Sequence, residues 1–200
     1  MALTPSQMVP LGTPLPLAAL QQALAGGDAR PVSGEPFADP VADRPLLVLF
    51  LCAHCPFVKH VEAEIGRLVR DHPALQLLAI ASNSTITHPQ DGPAGLAAQA
   101  AAQGWRFPYL FDGSQRLARA FQAACTPDPF LYAWQSGQHR LVYRGQFDGS
   151  RPGADQPCDG ADIRAAIAAV LAGRAVNPEQ RPAIGCNIKW RPGEEPEWAR

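Results

Sequence analysis

The sequence predicts an α/β domain, a mixed central sheet flanked by helices. Three observations predict it. The apolar run PLLVLFL (45–51) is followed by helical spacing and then by a second apolar run, ALQLLAIAS (74–82), the pattern of a parallel crossover between strands buried on both faces. PFLYAW (129–134) and HRLVYRG (139–145) are strand-like and joined by QSGQ, which reads as a hairpin with Gly137 in its turn. GADIRAAIAAVLAGR (160–174) closes the series as an amphipathic helix, with Ile163, Ile167, Val170 and Leu171 facing inward and Gly173 as its stop.

Taken in order, residues 1–44 are rich in Pro, Gly and Ala and show little periodicity, so they read as an extended lead-in with a short hairpin around ARPVSGEPF. After strand 45–51, Phe57, Val58, Val61, Ile65, Leu68 and Val69 repeat at helical spacing from Cys55 onward, and DHP (71–73) ends that helix. NSTITHPQDGP (83–93) reads as a polar loop. AGLAAQAAAQ (94–103) reads as a helix stopped by Gly104, and FPYLFD (107–112) as a short strand. This helix and strand are an insertion between the crossover and the hairpin. SQRLARAFQAA (114–124) reads as a helix with Ser114 as N-cap. The expected division is an N-terminal extension (1–36), a main domain (37–174) and a C-terminal tail (175–200), with no internal repeat.

Composition narrows the class of function. The 200 residues carry 17 basic and 18 acidic side chains, a net charge of -1, with no basic stripe for nucleic acid or an anionic membrane. No uninterrupted apolar segment is long enough to span a bilayer. The N-terminal stretch lacks the basic start and apolar core of a secretory signal, so a cytoplasmic protein is expected. Five cysteines, Cys52, Cys55, Cys125, Cys158 and Cys186, are too few and too odd in number for a static disulfide framework; they leave catalysis, metal binding or packing.

Cys52 and Cys55 stand where the first strand gives way to a helix. A thiolate attacks a disulfide, and a helix N-terminus stabilises one. Cys52 is therefore expected to have a lowered pKa and to act as an accessible nucleophile. Cys55, about one turn deeper, is expected to resolve the mixed disulfide. His54 is placed to tune the thiolate, and Pro56 suits the first helical turn. Two other readings stay open: a zinc site drawn from Cys52, His54, Cys55 and His60, and core packing. Glu62 and Glu64 read as a solvated helix face, and His60, His72, His88 and His139 as exposed. Neither a metal nor an organic cofactor is required for thiol exchange.

The order strand–CxxC–helix–strand, then Thr126-Pro127 entering a hairpin and a final helix, resembles the thioredoxin fold. That resemblance implies a cis Pro127 beside the cysteine pair, and a Thr126 backbone that pairs with an extended substrate strand. CAHCPFVKHVE, FPYLFD, CTPDPFLY, LVYRGQFDGS and GCNIKW, spread over residues 37–190, further resemble the peroxiredoxin-like group of the alkyl hydroperoxide reductase/thiol-specific antioxidant superfamily. The implied activity is thiol–disulfide oxidoreduction. A thiol-dependent, antioxidant peroxidase with an unconventional site is the alternative, and a non-enzymatic metal- or thiol-binding module a third reading. Two departures weigh against peroxide reduction. No threonine stands three residues before either cysteine, where Cys52 and Leu49 stand instead, and Arg144 is the nearest candidate for the group's arginine. Implied partners are protein or small-molecule thiols and disulfides and a cellular thiol reductant, with neither nucleic acid nor membrane. Cys125 and Cys186 are auxiliary candidates: Cys125 for a thiol relay, Cys186 as a resolving thiol or a partner for Cys125, each set against simple packing.

Overall fold

The computed structural model describes residues 3–199. Its main sheet has six strands in the order β2-β5-β4-β3-β7-β8: β2 (Ala29–Ser33), β3 (Leu46–Phe50), β4 (Gln76–Ala81), β5 (Tyr109–Asp112), β7 (Asp128–Gln135) and β8 (Gln138–Tyr143). β3, β4 and β5 run parallel, while β2, β7 and β8 add antiparallel pairings, so the sheet is mixed as expected. All five residues of β3 are buried, which suits the continuous apolar run of a central strand.

Alternation along β3 divides the core into two layers. Leu47 and Leu49 pack with α2 (Pro56–Asp71), α3 (Pro93–Gln103) and α5 (Ala161–Leu171), through Val58, Ile65 and Leu68, Leu96, and Ile163 and Ile167. Leu46, Val48 and Phe50 face the other layer, made by α1 (Leu17–Ala25) and α4 (Arg116–Phe121) through Leu20, Leu117 and Phe121. Burying each such side chain contributes about 1.5–3 kcal/mol. This two-sided burial explains why the crossover was readable as apolar runs. α3 ends at Gly104, whose φ of 64° is left-handed, as a helix-stopping glycine requires.

Several expectations are corrected. The supposed lead-in contains α1 and β2. β2 pairs with β5 instead of forming a hairpin within ARPVSGEPF, and its proline and exposed polar side chains suit an edge strand. α4 is shorter than expected and starts after Gln115, not at Ser114, because Gln115 takes a left-handed conformation. In α5, Leu171 is exposed instead of inward-facing, since the helix ends there against no further layer. Glu64 is buried, not solvated, because Arg164 and Arg67 both pair with it. His139 is buried too, bonded to the Arg44 carbonyl at 2.9 Å.

The C-terminal tail returns to the domain. β9 (Ile184–Asn187) lies between β1 (Leu3–Pro5) and β6 (Cys125–Thr126) in a second, antiparallel sheet of three strands. Ile188 and Trp190, just beyond β9, join the core layer of α1 and α4.

Candidate active site

The site forms at the C-terminal end of β3, where the chain leaves a fully paired central strand. Cys52 follows that strand; Ala53 and His54 make a bend; Cys55 is the N-cap of α2, and Pro56 its first residue. This corrects the assignment by which Cys52 occupied the helix N-terminus. The helix starts one residue after Cys55, so the positive end of its dipole acts on Cys55.

Asp91 holds the bend. It is fully buried, and its Oδ1 accepts the N–H groups of Ala53 at 2.9 Å and His54 at 3.2 Å. Its Oδ2 lies 2.5 Å from His54 Nδ1 and 2.8 Å from Asn83 Nδ2. His88 stacks on His54 with ring centroids 4.8 Å apart. Gln99 donates to the Cys52 carbonyl at 3.2 Å and accepts from the Tyr109 hydroxyl. Asp91, Asn83, His88 and Gln99 were missed in the sequence. They lie in a polar loop and on an alanine-rich helix, with no spacing that ties them to the cysteines.

Opposite the bend stands the cis Thr126–Pro127 peptide. Thr126 Oγ1 is 3.3 Å from Cys52 Sγ, and the Thr126 carbonyl is 3.2 Å from Cys55 Sγ. A third sulfur completes the group: Cys186 Sγ, from β9, is 2.8 Å from Cys55 Sγ. The structure thus brings together Cys52, Cys55, Thr126 and Cys186, and places Pro127 next to them. Cys125 faces the other side of the turn, where its thiol donates to the Pro127 carbonyl at 3.7 Å. Arg144 is buried there as well. It pairs with Asp128 at 3.6 Å and lies over the Phe130 ring, in place of a role at the cysteine pair.

The lowered pKa expected of Cys52 falls on Cys55 instead. Cys55 is pulled down to about 5, first by the hydrogen bond from Cys52, against the cost of burial, and then by the Cys186 thiol and the nearby N–H groups of Val58 and Cys186. The Thr126 carbonyl opposes this, since it accepts from a thiol and repels a thiolate. Cys52 is pushed up, first because its proton is held in the bond to Cys55, then by burial and by the Asp91 carboxylate, with Thr126 opposing. Cys186 is pushed up to about 12 by burial and by Cys55. His54 gives its Nδ1 to Asp91, so it steadies the bend. Accessibility is corrected too: Cys52 and Cys55 are fully covered, and Cys186 nearly so, with Thr126 against Cys52 and the Cys186 of β9 against Cys55.

The zinc set drawn from the sequence is not assembled. His60 bonds Ser150 at 2.7 Å. Cys52, His54 and Asp91 do place ligand atoms within 4.8 Å of one another. Four donors already occupy the Asp91 oxygens, and a cation would have to displace them. That donor set does not fit a metal. No described helix is long and apolar enough to cross a membrane.

No protein-family model and no curated protein matches the chain. Solved structures do. An uncharacterized conserved protein from Geobacillus kaustophilus is 37% identical, with a TM-score of 0.80 over 96% of this chain and 98% of that one. A hypothetical protein from Sinorhizobium meliloti is 38% identical, with a TM-score of 0.81 over 95% of this chain and 100% of that one. A secreted disulfide oxidoreductase of Mycobacterium tuberculosis, 19% identical, has a TM-score of 0.52 over 70% of this chain and 93% of its own. A thioredoxin-like protein solved in its oxidized form, 16% identical, has a TM-score of 0.55 over 74% and 98%. The last two establish the fold alone, the thioredoxin-like one that the mixed sheet and its flanking helices display. By the extent and identity of the first two matches, this chain belongs to the same family as the Geobacillus and Sinorhizobium proteins, a family built on that fold.

Proposed function

We propose that the chain is a thiol–disulfide oxidoreductase of peroxiredoxin-like type, acting through Cys52 and Cys55 in the reducing environment of the cytoplasm. One observation carries this reading: Cys55 is the N-cap residue of α2, its sulfur lies 2.8 Å from the Cys186 sulfur beside the Thr126–Pro127 turn, and these surroundings pull its thiol down to about 5. At neutral pH such a sulfur is a thiolate, the form that attacks. One fold neighbour is a disulfide oxidoreductase, which agrees with the reading.

The reaction follows from the geometry. The Cys55 thiolate attacks one sulfur of a substrate disulfide. A Cys55–substrate mixed disulfide forms, and the other substrate sulfur leaves as a thiolate. That thiolate takes up the proton that Cys52 releases. The Cys52 thiolate then attacks Cys55 Sγ, the protein disulfide forms, and the second substrate thiolate leaves and is protonated from solvent. One substrate disulfide is reduced to two thiols, and two protein thiols are oxidised. A cellular thiol reductant reverses the change in the protein. Thr126 steadies Cys52 through its hydroxyl, Pro127 fixes the turn that presents it, and His54 with Asp91 keeps the two cysteines on one bend. Because the sulfurs are covered, substrate entry requires the bend or β9 to move.

The test is equilibration of the reduced protein with a glutathione/glutathione disulfide series, followed by alkylation and mapping of every cysteine. Oxidation centred on Cys55 is expected, with exchange faster than that of free cysteine at pH 7. Exchange no faster than free cysteine would overturn the proposal.

A further inference from the structure

The edge of β6 that a substrate strand was expected to join is already occupied. β9 pairs with it antiparallel, and Cys186 stands opposite Thr126. The fit is too close for chance contact. A Cβ on Gly185 would lie 2.1 Å from the Thr126 carbonyl oxygen, so only glycine lets the strand sit this near the turn. The strand is fixed on both sides. Ser6 N–H donates to the Ala183 carbonyl at 2.8 Å, and Ile188 N–H donates to the Ala124 carbonyl at 3.0 Å. Beyond it, Lys189 N–H donates to Asn83 at 2.8 Å, and Trp190 is buried.

This arrangement places a cysteine where a bound polypeptide would place one. The Cys55–Cys186 separation of 2.8 Å is less than an ångström longer than the ~2.05 Å of a disulfide bond. Cys52, by contrast, is held by Thr126 and by the bend anchored on Asp91. Resting on the reading of Cys55 as the reactive thiol, we propose that Cys186 acts ahead of Cys52 as the thiol that resolves its mixed disulfide, the Cys52 attack described above taking over only where Cys186 is absent. β9 thus acts as a tethered substrate strand, and small disulfides are the external substrate class.

The chemistry balances. After Cys55 has exchanged with glutathione disulfide, the protein carries a Cys55–glutathione bond and one glutathione thiolate is free. That thiolate takes the Cys186 proton. The Cys186 sulfur attacks Cys55 Sγ, the Cys55–glutathione bond breaks, and a Cys55–Cys186 disulfide forms as the second glutathione leaves. The bond then latches β9 across the site, and a polypeptide has no free β6 edge on which to pair.

The experiment oxidises the reduced full-length protein with glutathione disulfide, quenches it in acid, alkylates it and maps linkages by mass spectrometry. A Cys55–Cys186 linkage is expected as the first protein disulfide. Cys186→Ser is expected to slow release of the second glutathione tenfold or more and to divert the linkage to Cys52–Cys55. Insulin is expected to be reduced at least tenfold more slowly than glutathione disulfide. A wild-type map with Cys52–Cys55 as the first linkage, or a Cys186→Ser rate equal to wild type, overturns the proposal while leaving the oxidoreductase reading intact. So does insulin reduced as fast as glutathione disulfide. A Cys55 that stays reduced overturns both.

Discussion

Cys55 and Cys125 are both buried cysteines set against the Thr126–Pro127 turn, yet their thiols are driven in opposite directions. Cys55 is pulled down to about 5 by the Cys52 and Cys186 thiols and by two nearby N–H groups, that of Val58 in the first turn of α2 and that of Cys186 on β9. Cys125 is pushed well up, by burial first and then by the Asp128 carboxylate, and Arg144 offsets only part of this. Burial alone disfavours a thiolate at either place. Each thiol also faces a carbonyl, Thr126 for Cys55 and Pro127 for Cys125; what separates them is that Cys55 has the Cys52 and Cys186 thiols and the Val58 N–H beside its sulfur, whereas Cys125 has the Asp128 carboxylate. A thiol's acidity here is a property of what surrounds it within a few ångströms, not of its place in a motif.

The comparison is broken most directly by exchanging each sulfur for oxygen. Cys55→Ser should lower the rate of disulfide exchange on the order of 10³-fold, as loss of a nucleophile does. Cys125→Ser should leave it within about twofold if Cys125 is a packing residue. Glutathione disulfide turnover measures both, and equal losses would erase the distinction.

The ion pair on the Cys125 side gives the next effect. Asp128 and Arg144 are both fully buried, and the Arg144 Nε and Nη1 atoms and Asp128 Oδ1 have no hydrogen-bond partner among the described residues. Removing the carboxylate leaves a buried guanidinium uncompensated, so Asp128→Ala should cost about 3–5 kcal/mol. A urea midpoint unchanged from wild type would contradict this.

On the Cys55 side, Gly185→Ala sets a methyl group against backbone. It should cost about 1–3 kcal/mol, as overpacking does. It should also lower the yield of any Cys55–Cys186 linkage while sparing Cys52–Cys55. Chemical denaturation with disulfide mapping checks both, and an undisturbed linkage would show that β9 tolerates the added carbon.

The remaining test is a titration. Thiolate absorbance should rise with a midpoint near the value of about 5 assigned to Cys55, and Cys55→Ser should remove that step. The unfolded chain keeps this proton to about pH 8.5. Between the two values the folded state binds fewer protons, so this group makes stability rise with pH. Stability lost as pH falls from about 8.5 to about 5 in wild type, and not in Cys55→Ser, is the expected signature.

Legibility followed the physics of each segment. β3, α2 and β4 were readable because buried strands and a one-sided helix impose apolar periodicity on the chain itself. α1 and β2 were obscured by prolines, which an edge strand and a helix entry tolerate but which read as loop. The CxxC pair and Thr126-Pro127 were legible as local motifs. Asp91 was not, because a single carboxylate 36–39 positions from the pair leaves no local trace. The tail's Cys186 was noticed in sequence among apolar anchors, but its contact with Cys55 was not derivable there.

By itself the sequence determined the sheet's central strands, the helices that cover them and the two cysteines at a strand–helix junction, because periodicity and spacing are properties of neighbours along the chain. Only the tertiary structure decided which cysteine caps the helix, which thiol carries the lowered pKa and that β9 fills the edge beside Thr126. Those outcomes depend on hydrogen-bond donors and backbone approaches between residues 71 to 131 positions apart, distances over which a linear sequence encodes no geometry.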